Sequence, residues 1–226
     1  MAYYDFTKTS FVRGMQCPKL IFLDRNRKEL ATPPDAETLE RFKKGRIFEK
    51  QVKDTFEGGI DMSCCGYNFW KREYVEKTKQ ILDSHEQCVI FEAGLYSPNE
   101  GILILTDVLR KNADGSYDIF EIKHSSALNT AIKWDLSLQY HVCKQVLGNI
   151  RSFNVVLRED DADGNWCPKT EDKMDFAKER EPEVLKHLEE FRPLLTGTEP
   201  QISIGEQCEK PYKCNFKKYC EKSRQK

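Results

Sequence analysis

Two strand-like runs carry acid on faces that ought to be apolar. In "YDIFEIKH", residues 117–124, alternation puts Glu121 and Lys123 on the face of Ile119, with Phe120 and Ile122 on the other. In "GILILTDVLR", residues 101–110, Asp107 shares a face with Leu103, Leu105 and Leu109. Charges at such positions are costly unless they are paired, hydrogen-bonded or bound to metal. One reading is an internal ion pair at a sheet edge. The other is a site for a hard cation, because Mg²⁺ and Mn²⁺ take oxygen ligands and need one or two protein carboxylates beside water and phosphate. Asp107, Glu121 and the backbone carbonyl of Ile122 would then hold the ion, which acidifies a bound water and polarises a phosphoryl oxygen. Lys123, aimed at the same spot, would position that water and offset charge developing on the phosphate.

Two neighbouring stretches add donors. In "KKGRIFEKQV", Gly45 and Glu49 lie one helical turn apart, so Glu49 projects beside a residue with no side chain and is either a further ligand or a solvent-facing glutamate. In "DLSLQYHVCKQVL", Gln139 and Cys143 share a helix face. Gln139 there either contacts substrate or attacking water, or lies on a polar surface. His85, His124, His141 and His187 form no metal-ligand spacing, and His124 points away from the Lys123 face.

These residues need a scaffold, and the local patterns supply one. The runs "CVIFEAGLY", "GILILTDVLR" and "YDIFEIKH" read as strands, the last two joined by a hairpin turn at Asp114-Gly115. "IKWDLSLQYHVCKQVLG" reads as a helix ending at Gly148, and "SFNVVLR" as a returning strand. Upstream, a short helix is expected around Cys17 to Leu23. A long one follows the prolines, with Asp35 and Thr38 as candidate caps, and stops before Gly58-Gly59. A further helix covers Tyr74 to Asp83, and "EPEVLKHLEEFRPLL" follows an acidic loop. A meander of three strands, then helix and strand, predicts a mixed α/β sheet with helices packed on it.

The chain of 226 residues is sized for one domain spanning 1–226, with a cysteine-rich segment at 200–226. No apolar run approaches membrane-spanning length, and "MAYYDFTKTS" has no apolar signal core, so a cytoplasmic location (nuclear in a eukaryote) without membrane contact is expected. Nine cysteines without a secretory signal favour thiols or metal ligands over disulfides. Residues 1–56 and 206–226 are net basic and residues 158–190 net acidic. The basic ends are either a converging polyanion-binding face or ordinary solvated helix faces, and the acidic segment would face away from nucleic acid.

The order G-x-x-x-E, D, E-x-K, then Gln on a following helix resembles the RecB-type branch of the PD-(D/E)xK nucleases, and within it the Cas-four-like exonucleases. The resemblance runs from "RGMQCPKLIFL" through "FEGG", "FEAGL", "TDVL" and "FEIKHSS" to the cysteine-rich tail. It implies a restriction-endonuclease-like fold with a mixed central sheet flanked by helices. It also implies metal-dependent cleavage of DNA, at single strands or ends, and an iron–sulfur cluster closing the domain. Carried over position by position, Asp107 and Glu121 are metal ligands, Lys123 is the catalytic lysine, and Gln139 opens the Q-x-x-x-Y motif. Glu49 stands where many relatives have histidine, and Cys143 where that motif has tyrosine. Cys17, with Cys208, Cys214 and Cys220 separated by five residues each, provides four thiolates for a 4Fe–4S cluster or a tetrahedral Zn²⁺. The tail itself has only Tyr212, Phe216 and Tyr219 as large anchors, and Cys64, Cys65, Cys88 and Cys167 read as incidental thiols. A second function class remains open: a cluster-bearing DNA-binding or assembly subunit with protein partners in a repair or CRISPR-type complex. RNA as substrate also remains open.

Overall fold

A computed structural model describes residues 5–63, 66 and 73–223. In chain order these form strand β1 (Phe6–Thr7) and helices α1 (Lys8–Gln16), α2 (Lys19–Asn26) and α3 (Ala36–Lys53). Strand β2 (Ile60–Asp61) and helix α4 (Glu73–Ser84) precede the meander β3 (Cys88–Ser97), β4 (Ile102–Lys111) and β5 (Tyr117–Lys123). Helix α5 (Thr130–Leu147), strands β6 (Ile150–Asp160) and β7 (Trp166–Asp172), and helices α6 (Met174–Phe191) and α7 (Lys217–Ser223) complete the described elements.

The strands form one mixed sheet in the order β2-β3-β4-β5-β6-β7, with the two-residue β1 added alongside β4. The β3–β4–β5 meander is antiparallel, and β6 returns parallel to β5 after the α5 crossover. Gly115, at φ 77°, closes the β4–β5 turn, a conformation that glycine adopts without a Cβ clash.

Both sheet faces are covered. Ile119 and Phe153 lie in the larger core with Phe11 of α1, Leu136 and Leu138 of α5, and Val184 and Leu188 of α6. Phe91, Val108, Ile122 and Val156 lie in a second core under Phe48 and Val52 of α3. The period-two reading of β5 is therefore correct: Ile119 and Ile122 are on opposite faces. Asn129 and Asp35 cap α5 and α3, each side chain accepting a backbone N–H 2.9 Å away, from Ile132 and Thr38. At Gly94 on β3, a Cβ would come within 2.7 Å of the Tyr74 backbone, so glycine is what lets α4 sit directly on the strand.

The structure departs from local expectation at three places. The helix expected around Cys17 to Leu23 is α2, starting after Pro18, and a separate α1 precedes it with Cys17 as its C-cap. The helix expected from Glu181 begins at Met174 and keeps Pro182 inside. Ala177, Val184, Leu188 and Phe191 all bury on its inner face, and that burial outweighs the proline penalty. The expected acidic loop contains the end of β6 and all of β7, a charged edge strand of the kind that resists further pairing. Among the described residues no helix is long and apolar enough to cross a membrane.

Candidate active site

The site forms where the β3–β4–β5 ladders open. Phe91 pairs with Val108 and Ala93 with Thr106, while Glu92, between them, takes φ 56°. On the other side of β4 the pairing with β5 ends at Val108 and Phe120. Beyond that point the Asp107 carboxylate fills the gap, its Oδ2 accepting the Ile122 N–H at 2.7 Å. β1 pairs with Ile102 and Leu103 at the far end of the same edge, and α1 starts immediately after it. Lys8 is thereby delivered into the opening.

Glu121 is fully buried, and its Oε1 receives both Lys123 Nζ at 2.5 Å and Lys8 Nζ at 2.8 Å. Its Oε2 is buried with no hydrogen-bond partner. Lys123 Nζ also lies 2.5 Å from Asp135 on α5, and Lys8 Nζ lies 3.8 Å from the same carboxylate. One turn on, fully buried Gln139 donates to Asp135 Oδ1 at 3.3 Å, and its own Oε1 is buried without a partner. Gln139 is thus no surface residue. Glu49 follows a different course. It pairs with Lys53 at 2.5 Å, and Lys53 joins it to Glu92 at 2.6 Å. Gly45 opens only onto free space.

The carboxyls are driven apart electrically. Burial, reinforced by Glu121, pushes the Asp107 carboxyl well above the usual range despite the nearby lysines. Burial would raise Glu121 too, but the Lys123 and Lys8 ammonium groups outweigh it and hold that carboxyl far below its ordinary value. Burial opposes the charge on Lys123, yet Asp135, Glu121 and Asp107 hold its pKa well above that of a free lysine. Burial also raises Glu92 against the pull of Lys53. A neutral-leaning and an ionised carboxyl side by side mark a position where a bound cation would take over the compensation.

The donor set fits a hard divalent ion in charge and chemistry. Five carboxyls, Asp107, Glu121, Asp135, Glu92 and Glu49, face three ammonium groups, Lys8, Lys53 and Lys123, which leaves one negative charge over while the Asp107 carboxyl is protonated and two once a cation ionises it. Buried Glu121 Oε2 still needs a partner. Among the described residues no three His, Cys, Asp or Glu side chains, the cysteines described below included, are grouped as a ready metal cage, and here the lysines and the Ile122 N–H hold the carboxylate oxygens.

A second cluster lies where the chain ends meet. Cys17, Cys208, Cys214 and Cys220 line one small cavity with Leu20, Leu23 and Phe216. Phe216 is fully buried against the two leucines, and Tyr219 donates to Glu199 at 2.8 Å. Tyr212 is 36% exposed, so it holds the tail by polar and ring contacts and not by burial in the core. Burial, then neighbouring thiols, raises the Cys17 and Cys214 pKa values. Four convergent thiols around an apolar cavity match the donor chemistry of a thiolate-bound centre. Every described cysteine is free, Cys143 is fully buried, and Cys64 and Cys65 lie outside the described residues. His124 packs on Phe48 and Trp166, on the face away from Lys123.

Lys8, Glu92, Lys53 and Asp135 had no local signal strong enough to single them out. Asp135 precedes Gln139 by one helical turn, the spacing that would have found it; Lys8 is brought in by a strand two residues long. Compared with known protein families and with curated proteins, the chain matches none.

Proposed function

We propose that the protein is a divalent-metal-dependent DNA nuclease acting on single strands or ends, built on a restriction-endonuclease-like PD-(D/E)xK scaffold. The observation that carries this reading is Glu121: two lysines occupy one of its oxygens, and the other is buried and unpartnered near Asp107. Asp107, Glu121 and the Ile122 carbonyl would hold Mg²⁺ or Mn²⁺, with Glu49, tied to Glu92 through Lys53, as the further ligand. The ion, when bound, supplies an acidified water and a polarised phosphoryl oxygen.

The remaining work falls to the side chains. Lys123 is held charged by Asp135, so it acts as a cation and not as a base. Two of its three N–H donors meet Glu121 and Asp135, leaving one for a phosphate oxygen or the attacking water. Gln139 Oε1 is free to accept a hydrogen bond from that water and so to orient it. The four cysteines would hold a 4Fe–4S cluster, with Zn²⁺ as the alternative, and tie α1 to the tail.

The test is incubation with labelled single- and double-stranded DNA under Mg²⁺, Mn²⁺ or chelator, for wild type and for Asp107→Ala, Glu121→Ala and Lys123→Ala. Cleavage should need the metal and vanish in each variant. Binding without cleavage under any divalent ion would instead identify a DNA-binding or assembly subunit.

A further inference from the structure

Helix α3 leads outward from the carboxylate cluster to an exposed surface. Phe42, Arg46, Glu49 and Lys53 follow one another at spacings of four, three and four, a single stripe along the helix. At its inner end, Lys53 binds Glu92 in the carboxylate cluster. At its outer end Phe42 is 46% exposed. Arg41 lies over two rings there, 5.6 Å from the Phe42 centroid and 4.7 Å from that of Tyr212.

Tyr212 belongs to the cysteine-rich segment, and its position is fixed from three sides. Its carbonyl accepts from Gln16 at 2.8 Å, and its hydroxyl accepts from Asn129 at 3.4 Å. Asn129 caps α5, the helix that carries Asp135 and Gln139. The neighbouring Lys213 is pinned to Asp35 and Glu37 at the start of α3. Tyr212 therefore bridges the two helices that lead to the site. Exposed Lys43, Lys44 and Arg46 continue the surface, and among the described residues none of the three is spent on an ion pair.

We infer that Tyr212, Arg41 and Phe42 form a stacking ledge for an unpaired base of a nucleic-acid strand, whose backbone follows the cations of α3 toward Glu49 and Lys53. This rests on the nuclease reading for its direction and adds the discrimination between single strand and duplex. The chemistry is specific to an unpaired strand: aromatic and guanidinium planes take a base face that a duplex hides, while lysines and arginines neutralise phosphates irrespective of sequence. It also gives the cysteine-rich segment a direct part in substrate binding, beyond fastening the chain ends.

The experiment is fluorescence anisotropy of a labelled oligothymidine and of a duplex of equal length, in chelator, so that binding is read without cleavage. Tyr212→Ala and Phe42→Ala should each weaken single-strand binding on the order of 5- to 150-fold, the range for losing one stacked base, and change duplex binding less than about twofold. Arg41→Lys keeps the charge and loses the planar stack, so it should also favour duplex relative to wild type. Tyr212→Phe keeps the ring and should bind as wild type, which separates stacking from any folding defect in Tyr212→Ala. Unchanged single-strand affinity in Tyr212→Ala and Phe42→Ala, or an equal loss on duplex, overturns the ledge. So does sedimentation showing wild-type self-association that Phe42→Ala abolishes, with oligonucleotide affinity untouched. A wild type that binds through the ledge yet cuts nothing with Mg²⁺ or Mn²⁺ would overturn the nuclease reading alone.

Discussion

Replacing Lys8 with methionine removes one corner of the buried charge square and leaves its shape nearly intact. Its ammonium lies 2.8 Å from Glu121 and 3.8 Å from Asp135, worth about 6 and about 4 kcal/mol of gross attraction at an effective dielectric near 20. Repulsion from Lys123, which sits on the same Glu121 oxygen, and a desolvation cost of several kcal/mol per ion offset most of that. A net loss of about 2–4 kcal/mol is expected for Lys8→Met, on the scale of breaking a buried pair at one end. Urea unfolding in chelator, followed by tryptophan fluorescence, measures it. The pH dependence has a definite sign. Glu121 has a depressed carboxyl in the folded state, so its contribution is complete above the unfolded value of about 4.3 and is lost as pH falls below it. Without Lys8 that depression is smaller. The gap between wild type and Lys8→Met should therefore be full at pH 7 and narrow as pH is lowered from about 5 toward 2. Lys8→Met within about 0.5 kcal/mol of wild type at pH 7, together with a coupling to Glu121→Gln no larger than that, would refute the electrostatic square.

Asp107→Asn should stabilise the metal-free protein at neutral pH by about 1–2 kcal/mol, because a raised carboxyl favours folding at low pH and loses that benefit as pH rises through its folded value. Thermal unfolding in chelator should show a rise of roughly 2–6 °C that disappears in acid. Serine at Cys17, Cys208, Cys214 or Cys220 should remove iron and acid-labile sulfide, about four of each per chain in anaerobically purified wild type, and expose both termini to protease, whereas Cys88→Ser should do neither. One zinc and no iron by elemental analysis would keep the clasp and change its metal. Gly94→Ala should cost about 1–3 kcal/mol in urea unfolding through overlap with the Tyr74 backbone, while Gly45→Ala, which meets nothing, should gain up to about 1 kcal/mol.

The elements that bear the strongest local patterns were legible in the sequence. Alternation in "YDIFEIKH" separated Glu121 and Lys123 from Ile122, and of the two candidate caps of α3, Asp35 is the cap and Thr38 supplies the N–H it accepts, one of the helix's first orphan donors. Four cysteines far apart in sequence were grouped by the family resemblance, and they line one cavity. Alternation failed on β4: Leu109 joins Ile102 and Ile104 in the larger core, although period two puts it on the opposite face, because pairing is interrupted around Glu92 and Asp107. Such an interruption carries no local signature, since Glu92 takes its left-handed backbone from the surrounding contacts and not from its residue type. The same holds for Lys8, Lys53 and Asp135. Each is an ordinary charge on an ordinary helix until three separate elements close on Glu121 and Glu92. Residue type and spacing determined which groups could do chemistry, and the opening of the sheet decided which of them meet, because charge pairing acts over a few ångströms of space and not along the chain.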